Sequence, residues 1–254
     1  MKKILELTLR PIKRVMSRMG FTVTRIGSNS NDNSLGYISA KKTVAGAKLE
    51  GLSICDYVEA LWDNKGGTQY VIDQINECGI FLNKGLNVVE IGAGTGRYME
   101  KVLKVCKPNL YESYETAKDW ADYLQSAYPI ISHPADGSSL RFTHDYSAGL
   151  IHAHGVFVYL PFLISYRYWE EIWRTTKIGG FVIFDIISED CLQRDLIQKW
   201  LESNHSYPCF LSKSFTVSLF NSHGFSLVKT FTHRYGAGKS EYLVFLRKSL
   251  DKVA

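Results

Sequence analysis

Downstream of residue 86 the chain alternates short, continuous apolar runs with longer stretches in which apolar positions recur every three to four residues. The short runs are strand-sized, and the longer ones have the period of amphipathic helices. Strands are expected over 87–91, 109–114, 130–133, 149–153 and 181–187. Strands separated by helices of this length predict a mostly parallel sheet covered on both faces. A further helical stretch over 212–223 leads to two last strands, 226–231 and 241–247, either side of the Gly-containing turn HRYGAGKS. Those two are expected to pair antiparallel at one edge. The pattern therefore predicts an α/β domain over 83–254, with a seven-stranded, mostly parallel sheet and helices on both faces.

The pattern upstream is different. Residues 37–82 carry two or three helical stretches, in VAGAKLEGLSICDYVEALW and TQYVIDQINECGIF, and are expected to form a helical cap. Residues 27–36, GSNSNDNSLG, read as a flexible linker. In 1–26 a helical wheel gathers Ile4, Leu5, Leu9, Ile12, Val15, Met16 and Met19 on one arc and Lys2, Lys3, Arg10, Lys13, Arg14 and Arg18 on the other, with a kink expected at Pro11. This is a basic amphipathic N-terminal helix.

Charge sharpens that picture. The net charge is +5, yet the first 25 residues alone hold seven cations against Glu6, so the rest of the chain is close to neutral. A near-neutral body without a basic stripe argues against a nucleic-acid partner. Residues 1–20 suit peripheral contact with an anionic membrane face. They suit equally a helix packed on the domain or on a second copy of the chain in a homodimer. No apolar run reaches the length of a membrane span, and the recurrent cations leave no secretory apolar region. Cys55, Cys78, Cys106, Cys191 and Cys209 are scattered singly without zinc-site spacing, which reads as reduced thiols in a cytoplasmic protein.

The densest chemistry lies in VVEIGAGTGRYMEKVL, a buried strand running through Glu90 into Gly92, Gly94 and Gly96 and then a helix. Glycines at this spacing allow a sharp turn and close approach of a ligand to the backbone. Arg97 stands where a dinucleotide fingerprint has its third glycine, and an acid at the strand end is a poor neighbour for a pyrophosphate but a good one for an amino group. The segment resembles the first motif of the class I S-adenosylmethionine-dependent methyltransferases, and the resemblance extends over about 86–247. LYESYETAKDWADYL resembles that family's second strand and helix, HPADGSSL its third-strand segment, and EIWRTTKIGGFVIFDII its helix–turn–strand signature, with Lys177, Gly179 and Gly180 at the turn. The resemblance implies a Rossmann-like fold and S-adenosyl-L-methionine as cofactor. It implies that Glu90 holds the methionyl end, that Gly92, Gly94 and Gly96 bend beneath the cofactor, that Glu115 binds the ribose hydroxyls with Glu112 as the alternative, and that Asp136 meets the adenine amino group.

The fourth strand reads AGLIHAHGVFVYLPF and lacks the acid usual at its start, since Ala148 and Gly149 stand there. His152 and His154, two apart, project the same way if the strand runs that far. Either suits a general base that takes the proton of an acceptor hydroxyl; the other reading is packing against the cofactor's carboxylate end. Asp185 and Asp190, with Asp136, read as solvated loop carboxylates, so no metal is assigned. An insertion over 188–214 is expected to form an acceptor lid, with His205 and Tyr207 as substrate contacts. Tyr166, Trp169 and Trp173 have the helical spacing of core residues. The leader resembles those on bacterial enzymes that modify surface polysaccharides, which favours O-methylation of a saccharide. A soluble metabolite acceptor, or a non-catalytic cofactor-binding role, are the alternatives.

Overall fold

A computed structural model describes residues 37–83, 85–203 and 208–248. The expected leader and linker, and the lid contacts His205 and Tyr207, lie outside the described residues. Three helices open the described chain: α1 (Ala40–Glu50), α2 (Ile54–Leu61) and α3 (Gly67–Asn76). Ser53 caps α2 by accepting the Asp56 N–H, and Gly51 ends α1 in the left-handed conformation that favours glycine. The cap is fastened to the domain from a distance. Asp119 accepts the Tyr37 hydroxyl and the Ala40 N–H, and the Trp120 indole donates to the Ile38 carbonyl.

The domain then runs β1 (Asn87–Ile91), α4 (Arg97–Val105), β2 (Leu110–Glu115), α5 (Lys118–Ala127), β3 (Ile131–Pro134), β4 (Ala148–Ala153), α6 (Phe162–Thr175), β5 (Thr176–Ile186), α7 (Arg194–Glu202), α8 (Lys213–Ser222), β6 (Phe225–Tyr235) and β7 (Gly238–Arg247). Seven strands form one sheet in the order β3-β2-β1-β4-β5-β7-β6. The strands β1 to β5 are mutually parallel where they pair, and β7 runs antiparallel to both β5 and β6. Core residues of α3, α4 and α5 (Ile72, Met99, Leu124) pack with Val88, Leu150 and Val244 on one face, and those of α6 and α8 (Trp169, Trp173, Phe220) pack with Ile151, Phe184 and Phe245 on the other. The expected Rossmann-like sheet with helices on both faces is thus present.

Two boundaries differ: β6 runs on to Tyr235 and β7 starts at Gly238, which narrows the expected turn HRYGAGKS to two residues, and β5 starts early. Lys177, Gly179 and Gly180 were expected in a turn before strand five, but β5 already begins at Thr176, and the β4–β5 register shifts between Ala148 and Leu150. Gly180 permits this: a Cβ there would meet the Lys177 and Ala148 carbonyl oxygens at 2.8 and 2.9 Å. In the expected lid region, Trp200 of α7 lies against the β6–β7 turn, where a Cβ on Gly236 would come within 2.3 Å of the indole ring. The sheet order reverses between β1 and β4, and in open α/β sheets the crevice beyond such a reversal is where ligands bind.

Candidate functional site

The loop between β1 and α4 lies at that crevice. Gly92, Gly94 and Gly96 have φ of 65°, 51° and 76°, a region costly for residues with a Cβ. They differ in surroundings. A Cβ on Gly92 would strike Val156 and one on Gly96 would strike Leu124, whereas one on Gly94 would meet nothing within 4 Å. Two glycines therefore let the loop pack, and the third leaves open space above the backbone.

Glu115, at the end of β2, fixes this loop. Its Oε2 accepts the Gly94 N–H at 2.6 Å and its Oε1 accepts the Ala117 N–H at 2.7 Å. A carboxylate has about four lone-pair sites, so each oxygen keeps capacity for a ligand hydroxyl. Glu112 is engaged elsewhere, 2.7 Å from His133 Nε2. The structure thus brings Glu115, and not Glu112, to the glycine loop. Asp136 is exposed beyond β3, where it accepts the N–H groups of Ser138 and Ser139 and the Ser139 hydroxyl, bonds that hold its carboxyl below the usual range.

Glu90 points inward, beneath α4, and is 1% exposed. The Tyr111 hydroxyl donates to its Oε2 at 2.7 Å and lies 3.0 Å from His152 Nε2. His152 Nδ1 is 3.0 Å from His154 Nε2, and His154 Nδ1 is 3.2 Å from the Tyr242 hydroxyl, which in turn lies 3.4 Å from that of Tyr98. Both histidines do project the same way, although β4 ends at Ala153. Burial dominates their charge states. It pushes Glu90 up to about 8, against the Tyr111 hydrogen bond and Arg97 and with the Glu115 charge assisting. It pulls His152 down to about 3, and it pulls His154 well below the usual histidine value with the help of His152, Arg97 and His233. Both rings are therefore neutral, as a general base must be.

No protein-family model matches the sequence, and no curated protein does. Solved structures do match by shape. Magnesium protoporphyrin IX methyltransferase from Synechocystis PCC 6803, solved with S-adenosylhomocysteine bound, is 12% identical, has a TM-score of 0.58, and is matched over 98% of this chain and 100% of its own. An O-methyltransferase family protein from Burkholderia thailandensis is 14% identical with a TM-score of 0.57, over 78% of this chain and 60% of its own. An S-adenosylmethionine-dependent methyltransferase from Methanosarcina mazei is 12% identical with a TM-score of 0.51, over 66% of this chain and 95% of its own. The fold is the Rossmann-like methyltransferase fold.

Around the end of β5 the structure departs from the sequence reading. Asp185, expected to be a solvated loop carboxylate, is a β5 residue only 1% exposed. Its Oδ1 accepts the Gly155 N–H at 2.7 Å, its Oδ2 makes no hydrogen bond of normal geometry, and burial raises it to about 6. Asp190 is exposed, as expected, with Lys213 3.4 Å away. Arg97 lays its guanidinium over the rings of Trp62 and Tyr98, at 4.8 and 5.0 Å, and its buried Nη1 has no partner. The field of Arg97 reaches Asp185, Tyr235, Tyr242 and His233, which places these groups in one neighbourhood. Sequence reasoning missed Tyr111, Tyr242 and Tyr98, because a tyrosine in an apolar run reads as core. A hydroxyl at alternate positions of β2 and β7 was the one available signal.

Proposed function

We propose that this chain is an S-adenosyl-L-methionine-dependent methyltransferase. The observation that carries the reading is the glycine loop: three left-handed glycines, the middle one facing open space, latched by a carboxylate that keeps free lone pairs. Such a loop fits the adenosine and amino-acid parts of the cofactor. Gly92, Gly94 and Gly96 would lie against it, Glu115 would bond its ribose and Asp136 its adenine, and Glu90 would lie near its methionyl end. The Glu115 carboxylate latched to the loop disfavours a diphosphate there and favours a cationic ligand. When bound, the cofactor supplies an electrophilic methyl group on a sulfonium. The chain's own contribution is to position the acceptor, exclude water and remove a proton, with His154 and then His152 as candidate bases. Calorimetry should show micromolar binding of S-adenosylhomocysteine and none of NAD. Tighter binding of NAD would sink the reading.

We further propose that the acceptor is a saccharide hydroxyl, in the assembly of a bacterial surface polysaccharide. Support comes from the buried polar atoms that lack hydrogen bonds of normal geometry around the acceptor side, Arg97 Nη1, Asp185 Oδ2, Tyr235 Oη and Trp200 Nε1. A hydroxyl-rich acceptor would satisfy such a mixed set of donors and acceptors. The basic leader supports a lipid-linked form of that acceptor, since each cation near an anionic leaflet contributes about 1 kcal/mol. The full chain should sediment with anionic vesicles at low salt and release at high salt, and a chain starting at Ser34 should do neither while still binding S-adenosylhomocysteine. Truncation that leaves vesicle binding unchanged would remove the lipid-linked acceptor. If it breaks a dimer instead, the leader is a packing element and a soluble acceptor becomes the better reading.

A further inference from the structure

The string of contacts from Glu90 to Tyr98 has a direction that follows from counting protons. An ionised carboxylate only accepts, so the Tyr111 hydroxyl must donate to Glu90. With its proton committed, Tyr111 Oη can only accept from His152 Nε2–H. A neutral imidazole carries one N–H, so His152 Nδ1 must accept, and the donor facing it is His154 Nε2–H. His154 Nδ1 then accepts from the Tyr242 hydroxyl, whose oxygen faces the hydroxyl of Tyr98. With Glu90 ionised, as it is above its raised value of about 8, every donor in the row points toward it. If Glu90 is protonated and donates to Tyr111, the same accounting reverses every bond and moves the proton of each imidazole from Nε2 to Nδ1. The row therefore has two complete, fully paired states that differ by one proton at Glu90.

We propose that this row is a proton relay, which carries the proton released at the acceptor inward from the Tyr242–His154 end to Glu90. The proposal rests on the methyltransferase reading above. As the acceptor oxygen bonds to the methyl carbon, the electron pair of the C–S bond stays on sulfur and the O–H bond gives up its proton. That proton goes to Tyr242 Oη as the proton of Tyr242 moves to His154 Nδ1. In turn His154 Nε2–H moves to His152 Nδ1, His152 Nε2–H moves to Tyr111 Oη, and the Tyr111 proton moves to Glu90. Each member gives one proton for the one it takes, so no imidazolium is formed in a place where burial forbids it. Glu90 ends neutral and the acceptor oxygen has lost its proton. His154, His152, Tyr111 and Glu90 do not touch the reacting atoms; they act through Tyr242.

Glu90, Tyr111, His152 and Tyr242 are each 1% exposed and His154 is 9% exposed, so bulk solvent is kept from the row along its length. The ring of His154 is stacked on Tyr98 at 3.6 Å, which holds it edge-on to both of its partners. The titratable groups acting on the inner end are Glu115 from β2, Arg97 from α4 and Cys106 just after α4; those acting on the outer end are Arg97, His233 from β6, Asp185 from β5 and Glu59 from α2. None of them forms a hydrogen bond to a member of the row that would divert its proton.

The two states are distinguishable without cofactor or acceptor. In the full chain labelled with ¹⁵N-histidine, His152 and His154 should stay neutral from pH 6 to 9.5, with both rings Nε2–H at the alkaline end. As pH falls through the titration of Glu90, both should convert together to Nδ1–H. Glu90→Gln should remove the conversion while leaving both rings neutral, and Tyr111→Phe should uncouple it from pH. Tautomers that stay fixed in the wild-type chain, that change in one ring alone, or that still convert in Glu90→Gln would each overturn the relay. The wild-type titration decides the matter even if a variant fails to fold. Calorimetry with S-adenosylhomocysteine on the same sample separates the two ideas. Normal binding with fixed tautomers overturns the relay alone, and converting tautomers without binding overturn the methyltransferase reading on which its role depends.

Discussion

Glu115→Ala is expected to lower S-adenosylhomocysteine affinity by roughly 100-fold, and Glu112→Ala to leave it within about three-fold. Glu115 accepts the Gly94 N–H and the Ala117 N–H, so its removal frees the loop that the cofactor must lie on. It also deletes the proposed partner of the ribose hydroxyls. Hydrogen bonds to a charged group contribute about 1.5–3 kcal/mol each, and a net loss of about 3 kcal/mol corresponds to a factor of about 100. Glu112 lies three residues earlier in β2 and so faces the other side of the sheet: its partner is His133, whose other neighbours are the rings of Tyr114 and Phe142. Removing it should cost stability, with little cost in affinity. Calorimetry on the two variants checks the contrast, and equal losses in both would mean that Glu115 is a structural latch with no ligand role.

The second large effect is on stability against pH. Glu90 is raised to about 8 in the folded chain from an ordinary 4.5, so the folded state holds its proton more tightly than the unfolded state does. Between those values the unfolded chain ionises and the folded chain does not, and stability falls as pH rises. The buried histidines act in the opposite sense. His152 is lowered to about 3 and His233 to about 4, and His154 moves the same way, so below about 6.5 the unfolded chain gains protons that the folded chain refuses. Asp185, raised to about 6 from 3.8, partly offsets them on the acid side. The expected profile is a dome with its maximum near pH 6.5. Its alkaline limb belongs to Glu90 and should amount to about 2 kcal/mol between pH 6.5 and 8, at about 1.4 kcal/mol per pH unit. Urea unfolding of Glu90→Gln should show that limb flattened and the acid limb intact. Parallel profiles for the variant and the wild type would place the proton of Glu90 elsewhere.

β1, β4 and the body of β5 were legible as short apolar runs, and the glycine loop because its spacing is rigid. The lead-in to β5 was not, since Thr176–Gly180 is polar and glycine-rich and becomes strand only by pairing with β4. Glu115 and Glu112 looked alike in the sequence; the end of β2, which falls at Glu115, separates them. Asp185 was misread for a related reason: β5 runs on to Ile186, and β7 covers it through the pairing of Asp185 with Tyr242. The polar row was illegible for lack of any local signature. It joins β1, β2, β4, α4 and β7, so its hydroxyls meet the histidines only once distant strands are in register.

That dependence on β7 has a consequence for how the chain is made. The strand order ends β5-β7-β6, so β7, which leaves the ribosome after both of its neighbours, must slot between them. Until Arg247 has emerged, β5 has an open edge and β6 has no partner in the sheet. An unpaired apolar edge of that kind invites association with other chains during synthesis. The nascent domain should stay susceptible to protease until β7 is released, then close in one step as Tyr242, Val244 and Phe245 fill both layers of the core and Arg247 bonds to the Trp173 and Thr176 carbonyls.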